Sequence, residues 1–184
     1  RTTTHSPAMR KVVLDIETSN TFHDIGVNDP SKLDLSLIAI HDSESNGYSS
    51  YLQDELPQLW PILEKTDVLI GYNSDHFDIP LLNRYYPGDL SQIKSIDLMK
   101  EIKKSFGRRV KLDHIAQATL GTTKSGHGLD AITWWKQGEI DKIRTYCIDD
   151  VRITKDIYEF ALQNKKVLLA VAGTPTEIAL DTST

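Results

Sequence analysis

Apolar and polar positions alternate along the chain in segments that change period. Lys11 to Ile16 is a short β-branched and apolar run, the pattern of a central strand. Thr18 to Lys32 is polar, with Gly26 and Pro30, and reads as a loop. Leu33 to His41 alternates and is rich in Leu and Ile, which predicts a second strand. After the turn Asp42 to Gly47, Tyr48 to Leu52 gives a third. The period then lengthens. Leu56, Leu59, Trp60 and Leu63 have helical spacing within Asp54 to Lys65. Val68 to Tyr72 predicts a fourth strand, Phe77 to Tyr86 a helix, and Ser95 to Leu98 a short fifth strand. Helices follow over Leu98 to Phe106, Lys111 to Leu120, Leu129 to Gln137 and Ile140 to Asn164; Gly107 and Gly121 end the first two, and Thr122 to Gly128 is a loop. Val167 to Val171 and Glu177 to Asp181, around Gly173 and Pro175, read as a C-terminal hairpin.

A three-strand meander followed by βα units is an α/β pattern with a mixed central sheet flanked by helices. At 184 residues it makes one domain with a substantial core. Residues 9–184 form that domain, because MRKVVLDIET looks like a natural start, and residues 1–8 read as a tag remnant or a flexible tail. No apolar run approaches a membrane span, and none precedes the first strand as a secretory signal would, so no membrane partner is expected. The single cysteine, Cys147, excludes an intrachain disulfide and has no companion for a zinc site; its helical position suits a small buried apolar residue. The expected compartment is intracellular, cytoplasmic.

Acidic residues at element ends carry the candidate chemistry. Asp15 and Glu17 lie two apart in VVLDIET, so an extended chain points both to one face. Two carboxylates side by side repel, and a hard divalent ion, Mg²⁺ or Mn²⁺, relieves that cost. Asp78 follows the fourth strand in LIGYNSDHFDIPLL, with Asn73 before it and Pro80 at a position tolerated near a helix start. Capping would explain Asn73 or Asp78 alone, but not their recurrence with the other motifs. In TYCIDDVRITKDIY, Tyr146 and Asp150 are i and i+4 on one helix face. There the phenol can hydrogen-bond a water beside a metal held by Asp150. Asp149, the rival ligand, points about 100° away. Carboxylates distributed in this way are what a two-metal phosphoryl-transfer site needs.

Together DIET, GYNSDHFDIPLL and YCIDD resemble the three exonuclease motifs of the DEDD superfamily, in its tyrosine-containing branch. The resemblance runs from about Lys11 to Phe160. The middle motif is similar to the proofreading domains of family B DNA polymerases. The segments KLDHIAQATLG and KSGHGLDAITWWKQGEIDKIRTYCIDDVRITKDIYEFAL are more similar to stand-alone ribonuclease-H-like predicted 3′–5′ exonucleases, some of which occur alongside helicases in DNA repair. The resemblance implies a ribonuclease-H-like fold whose central strand carries Asp15 and Glu17. It implies two divalent cations about 4 Å apart, one on Asp15, Glu17 and Asp150, the other on Asp15 and, through water, Asp78. Tyr146 would orient the attacking water where the histidine branch has a His, and 5′-mononucleotides would leave from a single-stranded 3′ end. A helicase or another repair protein is the implied protein partner. The alternatives are a non-catalytic nucleic-acid-binding or scaffold domain, and a structure-selective endonuclease on the same fold.

The formal charge of −5 is unusual for a protein that meets nucleic acid. Two divalent ions would bring it to about −1. Lys103, Lys104, Arg108, Arg109 and Lys111 also cluster, and such a strip holds phosphates on an acidic molecule, although a solvated helix end has the same composition. Arg108 and Arg109 are therefore candidate substrate contacts, with Lys124 and His127 in the KSGHG loop, Thr18 beside Glu17, and Asn73. His76 reads as a surface or phosphate-contacting residue. Of the adjacent Trp134 and Trp135, one is expected in the core, and the other is free to stack a base.

Overall fold

The computed structural model describes residues 8–122 and 126–183. Its centre is a five-stranded mixed sheet in the order β3-β2-β1-β4-β5: β1 is Lys11–Thr18, β2 Leu35–Asp42, β3 Gly47–Leu52, β4 Val68–Gly71 and β5 Lys94–Asp97. β2 pairs antiparallel with β1 and β3, whereas β4 pairs parallel with β1 and β5. Strand alternation divides β1 between two layers. Val12, Leu14 and Ile16 enter a core with Leu63, Leu81 and Leu82 from α2 (Trp60–Glu64) and α3 (Asp78–Asn83). Val13 enters the opposite core, built with α4 (Leu98–Phe106), α5 (Leu112–Leu120), α6 (Gly128–Lys136) and α7 (Ile140–Asn164). A two-stranded sheet of β6 (Lys166–Val171) and β7 (Thr174–Ala179) closes that layer. Every strand of β1, β2 and β4 is thereby sandwiched, which explains the near-continuous apolar runs.

Two features of β1 prepare the site. Its parallel pairing with β4 covers only Lys11 to Val13, so the stretch holding Asp15 and Glu17 runs on past the end of β4. The β1–β2 register then shifts between Glu17 and Thr18, a bulge that turns the chain away. The carboxyl ends of two parallel strands diverge here, a place where open α/β sheets leave a crevice.

Proline and short caps account for the departures from the sequence pattern. The helix expected over Asp54 to Lys65 is divided into a 3₁₀ segment, Gln53–Gln58, and α2, because Pro57 and Pro61 lack the N–H a continuous helix needs. The polar stretch Thr18 to Lys32 contains α1 (Phe22–Ile25), closed by a reciprocal Thr21–Asp24 capping box, and a 3₁₀ turn, Pro30–Lys32. α3 is shorter than expected, and β2 begins at Leu35 rather than Leu33. The hairpin turns at Ala172 and Gly173, whose φ values of 50° and 80° suit a two-residue turn with both central residues left-handed. Among the described residues no helix is long and apolar enough to cross a membrane.

Candidate active site

One pocket of about 550 Å³ is lined by Asp15, Glu17, Asp78, Tyr146 and Asp150, from β1, α3 and α7. β1 aims Asp15 and Glu17 at the face that α7 covers. α7 lies across β1 with Tyr146, Cys147 and Asp150 buried. Asp149 is turned outward and pairs with Arg152 at 3.1 Å, so the two neighbouring aspartates are separated as helical geometry requires. Asp78 opens α3, but its carboxylate reaches across the sheet: Oδ2 accepts the N–H of Ile16 at 3.2 Å, beyond the last β1–β4 pair. Its carboxylate thus ties the start of α3 to β1. The aromatic ring of Tyr146 rests edge-on against Trp134, centroids 5.9 Å apart.

The acidic side chains of the pocket shift one another's electrostatics. Burial pushes the Asp78 carboxyl well above the usual carboxylate range, and the charge of Asp15 pushes it further. Burial, then Asp150, Glu17 and Asp15, raise the Tyr146 phenol, so it keeps its proton. Ligand atoms of Asp15, Glu17 and Cys147 lie within 4.8 Å of one another. The thiol is the odd member. Burial and the same three carboxylates raise its pKa, and its Sγ donates to the Asp15 carbonyl at 3.2 Å, with Asp15 Oδ2 at 3.5 Å. Cys147 thus serves as a weak donor that steadies Asp15. The remaining donors are hard carboxylate oxygens, which fit Mg²⁺ or Mn²⁺ rather than a thiolate-seeking metal.

The candidate substrate contacts distribute unevenly. Thr18, Asn73 and His127 line the same pocket as the carboxylates. Thr18 Oγ1 donates to the carbonyl of Asn20 at 2.9 Å, which fixes the chain after the bulge. Arg109 lies in adjoining hollows. Arg108 points elsewhere: its guanidinium stacks over Phe106 at 4.8 Å and lines a hollow against β6 and β7, which borders the Arg109 hollow at Val110 and His114. His76 lines the third hollow with Lys100 and Lys103 and is not among the residues lining the carboxylate pocket. Trp134 packs on the core, and Trp135 is exposed, as their adjacency requires. Lys124 and residues 1–7 lie outside the described residues.

Other residues of the site carry weaker sequence signals. Phe22, Phe77, Leu129 and Ile132 form an apolar wall opposite the carboxylates. Asp97 organises the loop after β4. Its Oδ1 accepts from the N–H groups of Asn73 at 2.8 Å and Lys100 at 3.2 Å, and its Oδ2 from that of Asp75 at 3.1 Å. The strand-then-Asp-then-helix pattern SIDLMK marks Asp97 as the N-cap of α4, yet nothing local shows that it also reaches back to Asn73. That loop is tightly built. Asn73 is left-handed at φ 61°, and a Cβ on Gly71 would meet the Ser74 Cβ at 2.4 Å.

A family model described as the RNase_H superfamily matches residues 12–162. The chain belongs to the ribonuclease H superfamily. The matched span of this ribonuclease-H-like domain contains Asp15, Glu17, Asp78, Tyr146 and Asp150. The fold is also that of part of the family B DNA polymerase from the hyperthermophilic archaeon Pyrobaculum calidifontis, with a TM-score of 0.65 and 20% identity. The likeness covers 85% of this chain and 25% of the polymerase, so the chain corresponds to about a quarter of that protein's length. No curated protein sequence matches.

Proposed function

We propose that this ribonuclease-H-like domain is a 3′–5′ exonuclease of the tyrosine-containing DEDD type, acting on single-stranded DNA or RNA ends. The observation that carries the reading is the gathering of Asp15, Glu17, Asp78, Asp150 and Tyr146 around one pocket from three separate elements. Family membership makes a nuclease the natural reading of that pocket. Asp15, Glu17 and Asp150 would hold one divalent ion and Asp15 with Asp78 a second; when bound, the ions supply positive charge to the reacting phosphate. The chain's own groups do the rest. Tyr146, a neutral phenol fixed by Trp134, presents its hydroxyl to the attacking water. Thr18, Asn73 and the apolar wall hold the terminal nucleotide.

The test uses 5′-labelled single-stranded DNA and RNA with Mg²⁺ or Mn²⁺, and circular single strands as substrates without ends. The expected result is a ladder shortening from the 3′ end, absent with EDTA and in Asp150→Asn, with circles intact. Tyr146→Phe should lower the rate by about 10²-fold, the lower range of positioned proton-transfer groups, and less than Asp150→Asn does. Cut circles would make the protein an endonuclease, and silence with every metal would leave a binding module.

A further inference from the structure

The carboxylate pocket is not closed. It shares Tyr72, Asn73, His127 and Gly128 with a second hollow of about 610 Å³. That hollow shares Arg109 with a third, of about 350 Å³, which also reaches Asn73. The three hollows adjoin one another at Asn73, which lines all of them, and together they outline a channel past it. Its character changes along its length. The first part holds Asp15, Glu17, Asp78 and Asp150, whereas the later parts set Arg109, Lys111, Lys100 and Lys103 against Asp75, Asp97 and Asp113. Of the acids in the later parts, Asp97 engages backbone N–H groups and Asp75 engages Ser95 at 2.5 Å and Lys100 at 3.4 Å, while Asp113 lines the second hollow beside Lys111.

A hydrogen bond sets which cations face the channel. The Tyr72 hydroxyl donates to the carbonyl of Val110 at 2.5 Å, and Val110 is itself buried. This ties the turn between α4 and α5 to the end of β4, next to Asn73. With Val110 held, its neighbours Arg109 and Lys111 flank the channel, while Arg108 lines the hollow against the hairpin.

We propose that a polynucleotide strand whose 3′ end occupies the carboxylate pocket leaves it past Asn73 and runs through this channel, its phosphates held by Arg109, Lys111 and Lys103. This rests on the nuclease reading for the position of the 3′ end. The occupant follows from charge and adjacency: a chain of phosphates with one end in the cation-seeking pocket meets Arg109, Lys111 and Lys103 in the hollows that adjoin it at Asn73. It also resolves how a protein of net charge −5 binds a polyanion, through a few directed contacts in place of a general field.

The test is fluorescence anisotropy with labelled oligothymidylate and oligouridylate, in an Asp150→Asn background with Mg²⁺, over a salt series. Arg109→Glu with Lys111→Glu should weaken binding about tenfold or more, and flatten the plot of log affinity against log salt by about 1.4. The matched change Lys104→Glu with Arg108→Glu, outside the three hollows, should leave both nearly as they were. Equal losses from the two pairs, or no loss from the first, would overturn the channel. Cleavage by the native protein, run alongside, keeps the two ideas apart. Cleavage without a charge effect at Arg109 and Lys111 sinks the channel alone; that charge effect without cleavage sinks the nuclease reading and leaves a strand-binding channel.

Discussion

Asp97 makes three hydrogen bonds to backbone N–H groups and in doing so sets the position of Asn73, the residue that lines all three hollows. Replacing it with Asn keeps the shape but gives up the charge-assisted bonds. A cost of about 1.5–3 kcal/mol is expected from hydrogen bonds to a charged group, readable by denaturant unfolding. Because the loop it holds belongs to the substrate side of the pocket, Asp97→Asn should raise KM more than it lowers kcat. A pure loss of kcat would place its influence on the carboxylates instead. That Asp15, Glu17, Asp78 and Asp150 would share a pocket was legible in the sequence because their motifs are local. Asp97 was half legible, as a helix cap, because its second task depends on a loop more than twenty residues away in the chain. Cys147 was read as a buried small residue, which it is; that its S–H meets Asp15 depends on how α7 lands on β1.

The strongly patterned elements, β1, β2 and α7, lie close to where their periodicity places them, because two apolar layers or a long stripe over-determine them. Short elements escaped the pattern. α1 is one turn held by a cap, and the segment before β4 is broken by two prolines, so in both cases single residues outweigh periodicity. The end of β4 shows the same dependence on one residue. Gly71 permits the chain to fold back so closely that an added methyl would overlap Ser74. Gly71→Ala should cost about 1–3 kcal/mol, the range for overpacking, and should impair nuclease activity beyond its loss of stability because the displaced loop carries Asn73. Thermal unfolding and activity of the same preparation check this; a variant that melts like the native protein would show that the loop yields easily.

At the scale of the whole molecule, the site concentrates negative charge inside a fold whose net charge is already −5. In the absence of a cation, burial and Asp15 hold the Asp78 pKa above its unfolded value. A carboxyl with a raised folded pKa favours folding when protonated, and that advantage disappears as pH rises through the folded pKa. Metal-free native protein should therefore lose stability, relative to Asp78→Asn, as pH rises above about 4, the unfolded value. Mg²⁺ or Mn²⁺ should reverse the order at neutral pH, adding about 2.7 kcal/mol when present at a hundredfold excess over Kd, and adding less in the variant. Thermal unfolding across pH with and without cation measures it, and parallel curves for the two proteins would remove Asp78 from the cation's surroundings. The junction of α7 with β1 carries a kinetic consequence as well. Cys147 is fully enclosed there, so an alkylating reagent reaches it only while the helix is lifted off the strand. Its modification rate is a clock for that motion. A divalent ion gripping Asp150 on the helix and Asp15 and Glu17 on the strand would slow the clock by riveting the two together, and a rate indifferent to the ion would mean that the two sides breathe without it.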